Sequence, residues 1–214
     1  MKTADALTGL PARTAFESAL EGVVTRCGQA GLPVSAGVVD IDLFGRVNRD
    51  YGHATGDGLL KFLSERMLAA FAEPAVCCRF GGDAVAVFWP ELEKEQAFLR
   101  LEEFRAGFHG SHVVTVDAKA VELQVSVSAG LASFPEDGAK PADILAKAAE
   151  ALYRAKATGR NKVCLAREEK MVTKTSHYGQ SQLMGLRRLA QREGISDAEL
   201  LREALNDLLR KYNA

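Results

Sequence analysis

The segment VSAGVVDIDLF, residues 34–44, limits most strongly what this chain can fold into. Its small and apolar residues run on without polar alternation, which is the pattern of a strand covered on both faces. Such a strand needs helices packed around the sheet that holds it. It finishes on Asp40 and Asp42, so a buried element delivers two acids to its own end.

The rest of the chain supplies the cover. Phe16, Leu20, Val23 and Val24 recur at helical spacing within residues 11–30, and GQAGLP stops that helix. GRVNRDYGHATGDG reads as a polar helix-loop stretch ahead of the amphipathic GLLKFLSERMLAAF. After Pro74 come a hairpin at RFGGDAVAVFW, a helix across EKEQAFLRLEEFRAGF, and strands at SHVVTVDA and VELQVSVSAGLASF. A long helix starts at Pro141, ends at Gly159 and leads into a last strand. This order predicts an α+β fold, a central mixed sheet with surrounding helices. From residue 167 the chain turns polar, and two short helices follow around EGIS, which predicts a main domain over 1–166 and a small module over 167–214.

Composition excludes several classes. A hydrophobic share of 47%, a charged share of 26% and a net charge of -1 describe a chain with a real core. That balance argues against nucleic acid binding over the whole surface, while leaving room for a small basic module at one end. No signal peptide and no membrane-spanning run is evident, so a cytoplasmic location with no membrane partner is expected. Cys27, Cys77, Cys78 and Cys164 lack metal-ligand spacing and read as buried thiols. On a strand, the adjacent Cys77 and Cys78 face opposite sides.

The hairpin places Asp83 in a Gly-Gly-Asp turn. With Asp40 it could form a pair of hard oxygen ligands suited to Mg²⁺ and phosphates, as phosphoryl or nucleotidyl transfer requires. An acid at such a position also serves simply as a turn former.

Taken together, DALTGLPAR, DIDLFGRVNRDYGHATGD, RFGGDAV, VSVSAGLASFPEDG and AEALYRAKATGRNKV resemble the GGDEF domains, diguanylate cyclases that join two GTP molecules into cyclic di-GMP. The resemblance spans residues 5 to about 165 and implies a palm-like core related to nucleotide cyclases. It implies that Asp40 and Asp83 are the metal-binding and, if the domain is active, catalytic carboxylates, with the Ile41 carbonyl as a further ligand. Asn48 and Asp57 match the residues that hydrogen-bond guanine. Lys156 and Arg160 match the groups that hold the terminal phosphates, and Phe44, Gly52 and His53 are retained around them. Two positions depart. The signature's glutamate and phenylalanine are Ala84 and Val85, and a phosphate-binding lysine is replaced by Gly45, with Arg46 about 100° further around the helix. An alanine can neither hold a metal nor accept a proton, so cyclase activity is expected to be lost while GTP or cyclic di-GMP binding survives. The family's RxxD product site is absent from FAEPAVCC, which leaves the active-site half-pocket as the route for cyclic di-GMP.

The tail from Met171 to Tyr212 carries Leu183, Leu186, Leu189 and Ala190 on one helical face, and Leu200, Leu201, Ala204, Leu205 and Leu208 on another. Ser196 and Glu199 form a capping box, and Gly194 ends the first helix. So small a module needs a second copy to complete its core. It resembles the ribbon-helix-helix family, dimeric DNA-binding domains whose paired strands enter the major groove. With Tyr178 as the last inward position, that likeness makes Thr173, Thr175 and His177 the base-reading set. The second helix start around Ser196 offers backbone N-H groups to a phosphate, with Asp197 opposing it, and Lys170, Lys174, Arg187 and Arg188 supply further phosphate contacts. The expected protein is a homodimeric transcriptional regulator of double-stranded DNA with a degenerate GGDEF sensor. An active cyclase dimerised by its tail and a protein-interaction scaffold are the alternatives.

Overall fold

A computed structural model describes residues 4–116, 119–166, 178–193, 196–198, 200–201, 204–205 and 211. The chain divides into two units, residues 1–169 and 170–214. The first contains α1 (Arg13–Ala30), β1 (Val34–Ile41), α2 (Phe44–Tyr51), α3 (His53–Ala70), β2 (Val76–Gly81) and β3 (Ala84–Pro90). It continues with α4 (Lys94–Phe108), β4 (Gly110–Val116), β5 (Lys119–Val125), β6 (Val127–Phe134), α5 (Pro141–Ala157) and β7 (Val163–Leu165).

The sheet runs β2-β3-β1-β6-β7, with β1 at its centre and β4-β5 forming a separate two-stranded ribbon. β1 is antiparallel to both β3 and β6, whereas β6 and β7 are parallel, so the sheet is mixed. Every residue of β1 is buried, as its unbroken apolar run requires. Val34, Ala36 and Val38 pack with Phe16, Leu20 and Val24 of α1 and with Ile144 and Ala148 of α5. Val39 and Ile41 point the other way, among Leu59, Leu63 and Met67 of α3 and Leu101 and Phe104 of α4. Full burial of each such side chain stabilises by about 1.5–3 kcal/mol, so both helical layers are held by the alternation of one strand. The predicted α+β architecture is therefore present, with β1 as its spine.

Cys77 and Cys78 divide between these layers as alternation demands, Cys77 toward α3 and α4 and Cys78 toward α1 and α5. Burial pushes each thiol up to about 12. Cys27 is also buried, and Cys164 is half-buried.

Two sequence expectations change. The polar stretch after β1 is helical almost throughout, broken only where Gly52 adopts φ 86° between α2 and α3. The single strand expected over 121–134 is two strands in different sheets: Val125 pairs with Gly110 of β4, and Val127 pairs with Ile41 of β1. Asp42 explains the change at Ser126, because it donates its N-H to the Ser126 carbonyl and accepts the Ser126 and Ser128 hydroxyls, both at 2.7 Å.

Gly130 brings α5 close. A Cβ there would sit 2.0 Å from the Ala148 carbonyl oxygen and 2.2 Å from the Leu152 nitrogen. That close approach sets the end of α5 beside the end of β1.

In the second unit, α6 (Gln180–Glu193) exposes Leu183, Met184 and Leu189, while Ala190 is buried. Arg187 lies 4.0 Å from Asp197, so two charges expected to act separately on a phosphate face one another. Thr173, Thr175, His177, Lys170, Lys174, Gly194 and Glu199 lie outside the described residues. No helix among the described residues is long and apolar enough to cross a membrane.

Candidate nucleotide site

The hairpin between β2 and β3 carries one acid of the site, and two turn glycines make its path possible. Gly81 and Gly82 take φ 150° and 57°, conformations that side-chain-bearing residues rarely adopt. Arg79 braces the turn by donating to the Gly82 carbonyl at 2.9 and 3.2 Å, and it reaches Asp5 at 3.4 Å. Burial acts to raise the Asp5 carboxyl, but donors from Thr8 and the Arg79 charge outweigh it and hold the group below its ordinary value. The DALTGL segment is thereby tied to the hairpin.

Ala84 stands directly across from Asp40 in the β1–β3 register. Opposed residues in an antiparallel pair share a face, so a side chain at this position points into the layer that Asp40 faces. Ala84 is buried there beside Ala86 and Phe88. Position 84 therefore presents an apolar side chain on the face of the Asp40 carboxylate.

Asp40 is 7% exposed, and its carboxylate accepts a hydrogen bond from the Lys156 ammonium of α5. Its carboxyl is pushed up to about 6, chiefly by burial and further by the charges of Asp83 and Asp42, while Lys156 pulls in the opposite direction. Asp83 is half-buried in the turn, and its charge is among the causes that raise Asp40. Asp42, the other acid of the run, takes a structural part: besides the two serine hydroxyls it accepts the Asn161 N-H at 3.0 Å. That bond fixes the turn after α5, in which Arg160 and Asn161 have φ 61° and 46°. Sequence reasoning assigned Asp42 no role. The signal for it was VSVS, two hydroxyls two residues apart in the sequence.

Asn48 on α2 and Asp57 on α3 are brought to adjoining turns. The Asn48 side-chain oxygen is buried without a hydrogen-bond partner and lies where a Cβ on Gly56 would be only 1.9 Å away. Asp57, the next residue, is exposed. Arg46 is exposed and pairs with Asp50 at 3.2 Å. Gly45 is also exposed, and an added Cβ there would meet nothing within 4 Å, so packing does not demand glycine. Arg160 is exposed at the end of the α5 turn. A cavity of about 390 Å³ opens on the Leu43, Arg46 and Asp50 side of α2, and neither Asn48 nor Asp57 lines it.

The donors fit a hard cation only in company. Asp40, Asp83 and the Ile41 carbonyl offer oxygens of the kind Mg²⁺ takes, and its remaining positions are ordinarily filled by water and phosphate. Among the described residues no group of three or more acidic, histidine or cysteine side chains could hold a metal by itself. Asp40, Asp83 and Ile41 would hold the ion, which would neutralise phosphate charge there.

Residues 2–162 match the family described as "Diguanylate cyclase, GGDEF domain". The chain belongs to the GGDEF family. Its GGDEF domain is 33% identical to the response regulator PleD of Caulobacter vibrioides over 159 residues, and 35% identical to the diguanylate cyclase DgcP of Pseudomonas aeruginosa over 162 residues. These alignments cover 74% and 76% of this chain but only 35% and 24% of those proteins, so the chain spans a minor part of their length. In three dimensions it resembles the GGDEF domain of DgcB from Caulobacter crescentus, solved in complex with c-di-GMP, with a TM-score of 0.72 and 27% identity over 78% of this chain and 98% of that one. The palm-like GGDEF fold with its mixed sheet is common to both.

Proposed function

We propose that this GGDEF domain binds a guanine nucleotide without cyclising it and acts as a sensor for the C-terminal module, which pairs with a second copy and binds double-stranded DNA. The observation that carries the first half is the register Asp40–Ala84: the residue sharing a face with the buried carboxylate is one that cannot hold a metal or move a proton. Loss of a charged group aimed at reacting phosphate costs about 3 kcal/mol or more of transition-state stabilisation, a rate factor of roughly a hundred or more.

Binding draws on groups that do not depend on Ala84. Lys156 and Arg160 would hold the phosphates, Asp40, Asp83 and Ile41 the Mg²⁺ that accompanies them, and Asn48 and Asp57 the guanine edge. The Asn48 oxygen supports this reading, since a buried acceptor without a donor costs about 1–3 kcal/mol and a bound donor would relieve it. GTP and cyclic di-GMP share that edge. The exposed leucines of α6 support pairing, because an apolar helix face calls for cover. Nucleotide would change operator affinity through its different affinity for two arrangements of the dimer.

Incubation of the purified chain with GTP and Mg²⁺, with chromatography for cyclic di-GMP, tests the absence of catalysis. Calorimetry with GTP and with cyclic di-GMP tests binding, and a mobility shift of genomic fragments tests the tail. Turnover at an ordinary cyclase rate would favour the second reading, an active diguanylate cyclase dimerised by its tail. The retained Asp40, Asp83 and Lys156 speak for that reading.

A further inference from the structure

We propose that Lys156 is the resident counter-ion of Asp40 and keeps this carboxylate closed to a divalent cation until nucleotide phosphates draw the ammonium away. The proposal rests on the nucleotide-pocket reading above and deepens it, since it fixes the order in which the pocket fills.

Three observations converge. The first is the contact itself: the Lys156 ammonium donates to Asp40 Oδ1. The two side chains are unequally placed, Asp40 at 9% exposure and Lys156 at 31%. The carboxylate is fixed at a strand end, while the ammonium enters from the solvent side on a flexible stem in the last turn of α5. Of the two, Lys156 is the partner that can leave.

The second is that the neighbouring acid cannot substitute as the cation's partner. Asp42 already accepts from Ser126, Ser128 and the Asn161 backbone, so its oxygens are committed to holding the β5–β6 passage and the α5 turn.

The third is the charge count. An acid in the place of Ala84 would share a face with Asp40 and add a negative charge that one ammonium could not offset. Such a site would attract a divalent ion before any nucleotide arrived. With alanine there, Asp83 and Asp42 are the charges left beside Asp40, and the one hydrogen-bonded counter-charge on its carboxylate is Lys156, so the empty pocket has less need of metal than with a further acid. Phosphates compete for the lysine, and once they hold it Asp40 is free to take Mg²⁺ together with the oxygens they bring. Metal and nucleotide then bind with strong positive coupling.

Manganese, followed by electron paramagnetic resonance on the full-length protein without nucleotide, tests this. Lys156→Gln is expected to bind Mn²⁺ roughly tenfold or more tighter than wild type, the scale of one charged hydrogen bond. Adding Asp40→Asn to that variant should return it to the wild-type level. Equal Mn²⁺ affinity in wild type and Lys156→Gln overturns the proposal. Tight Mn²⁺ binding that survives Asp40→Asn puts the metal elsewhere and overturns the pocket reading as well. Should Lys156→Gln fail to fold, the unaltered protein decides: its GTP affinity should rise roughly tenfold or more when Mg²⁺ replaces EDTA, and tight Mn²⁺ binding in the absence of nucleotide overturns the proposal. Failure of wild type to bind GTP defeats the pocket reading and the gating step, whereas the Lys156→Gln comparison still decides the counter-ion.

Discussion

Asp40 is a buried acid held at the end of β1. Its carboxyl is raised to about 6, so folding favours its protonated form, and the associated stability is fully present below about pH 4 and lost as pH rises through 6. Urea denaturation across pH 4 to 8 should show a decline on the order of 2 kcal/mol from this group, and Asp40→Asn should flatten it. The complementary change is Ala84→Glu. A further buried acid on the face of Asp40 should destabilise the metal-free protein by about 1–3 kcal/mol, and Mg²⁺ should restore the loss, read by urea melts in EDTA and in Mg²⁺. At this scale much was legible beforehand: the acids at the end of the β1 run, the alanine in the signature and the cations near the end of α5 all stand out in the chain. The Asp40–Lys156 pair was not, because the two lie far apart in sequence and meet only through the packing of α5.

That packing belongs to the scale of elements, where Gly130 decides how near α5 comes. Gly130→Ala would drive a methyl into the Ala148 carbonyl and the Leu152 nitrogen, backbone atoms that cannot rotate away. The expected cost is about 1–3 kcal/mol or more in urea denaturation. A fall in GTP affinity by calorimetry should accompany it, because Lys156 and Arg160 move with the helix. β1 was readable since a strand covered on both faces has an unmistakable composition. The passage from β5 to β6 was hidden, because Leu123, Val125 and Val127 keep one alternation going across a change of sheet. The end of α2 was obscured too, as the polar residues of α2 resemble a loop until Gly52 and Gly56 are seen to separate and then appose two helices.

For the molecule as a whole, the main domain has its own two-layered core, and the tail presents apolar residues on α6. A chain ending at Glu169 should stay folded by circular dichroism and run as a monomer in light scattering, whereas the full chain should run as a dimer. A full chain that also runs as a monomer would remove the pairing on which the proposed DNA-binding role depends. The family was legible from its dispersed motifs. The tail's expected base-reading set, Thr173, Thr175 and His177, lies outside the described residues. The adjacent thiols of β2 give the whole molecule a gauge of its own opening. Because Cys77 and Cys78 stand back to back beneath different helical layers with negligible thiolate at neutral pH, a maleimide pulse should modify neither in the native protein. Mass spectrometry of the partly labelled chain would then tell which cover lifts first.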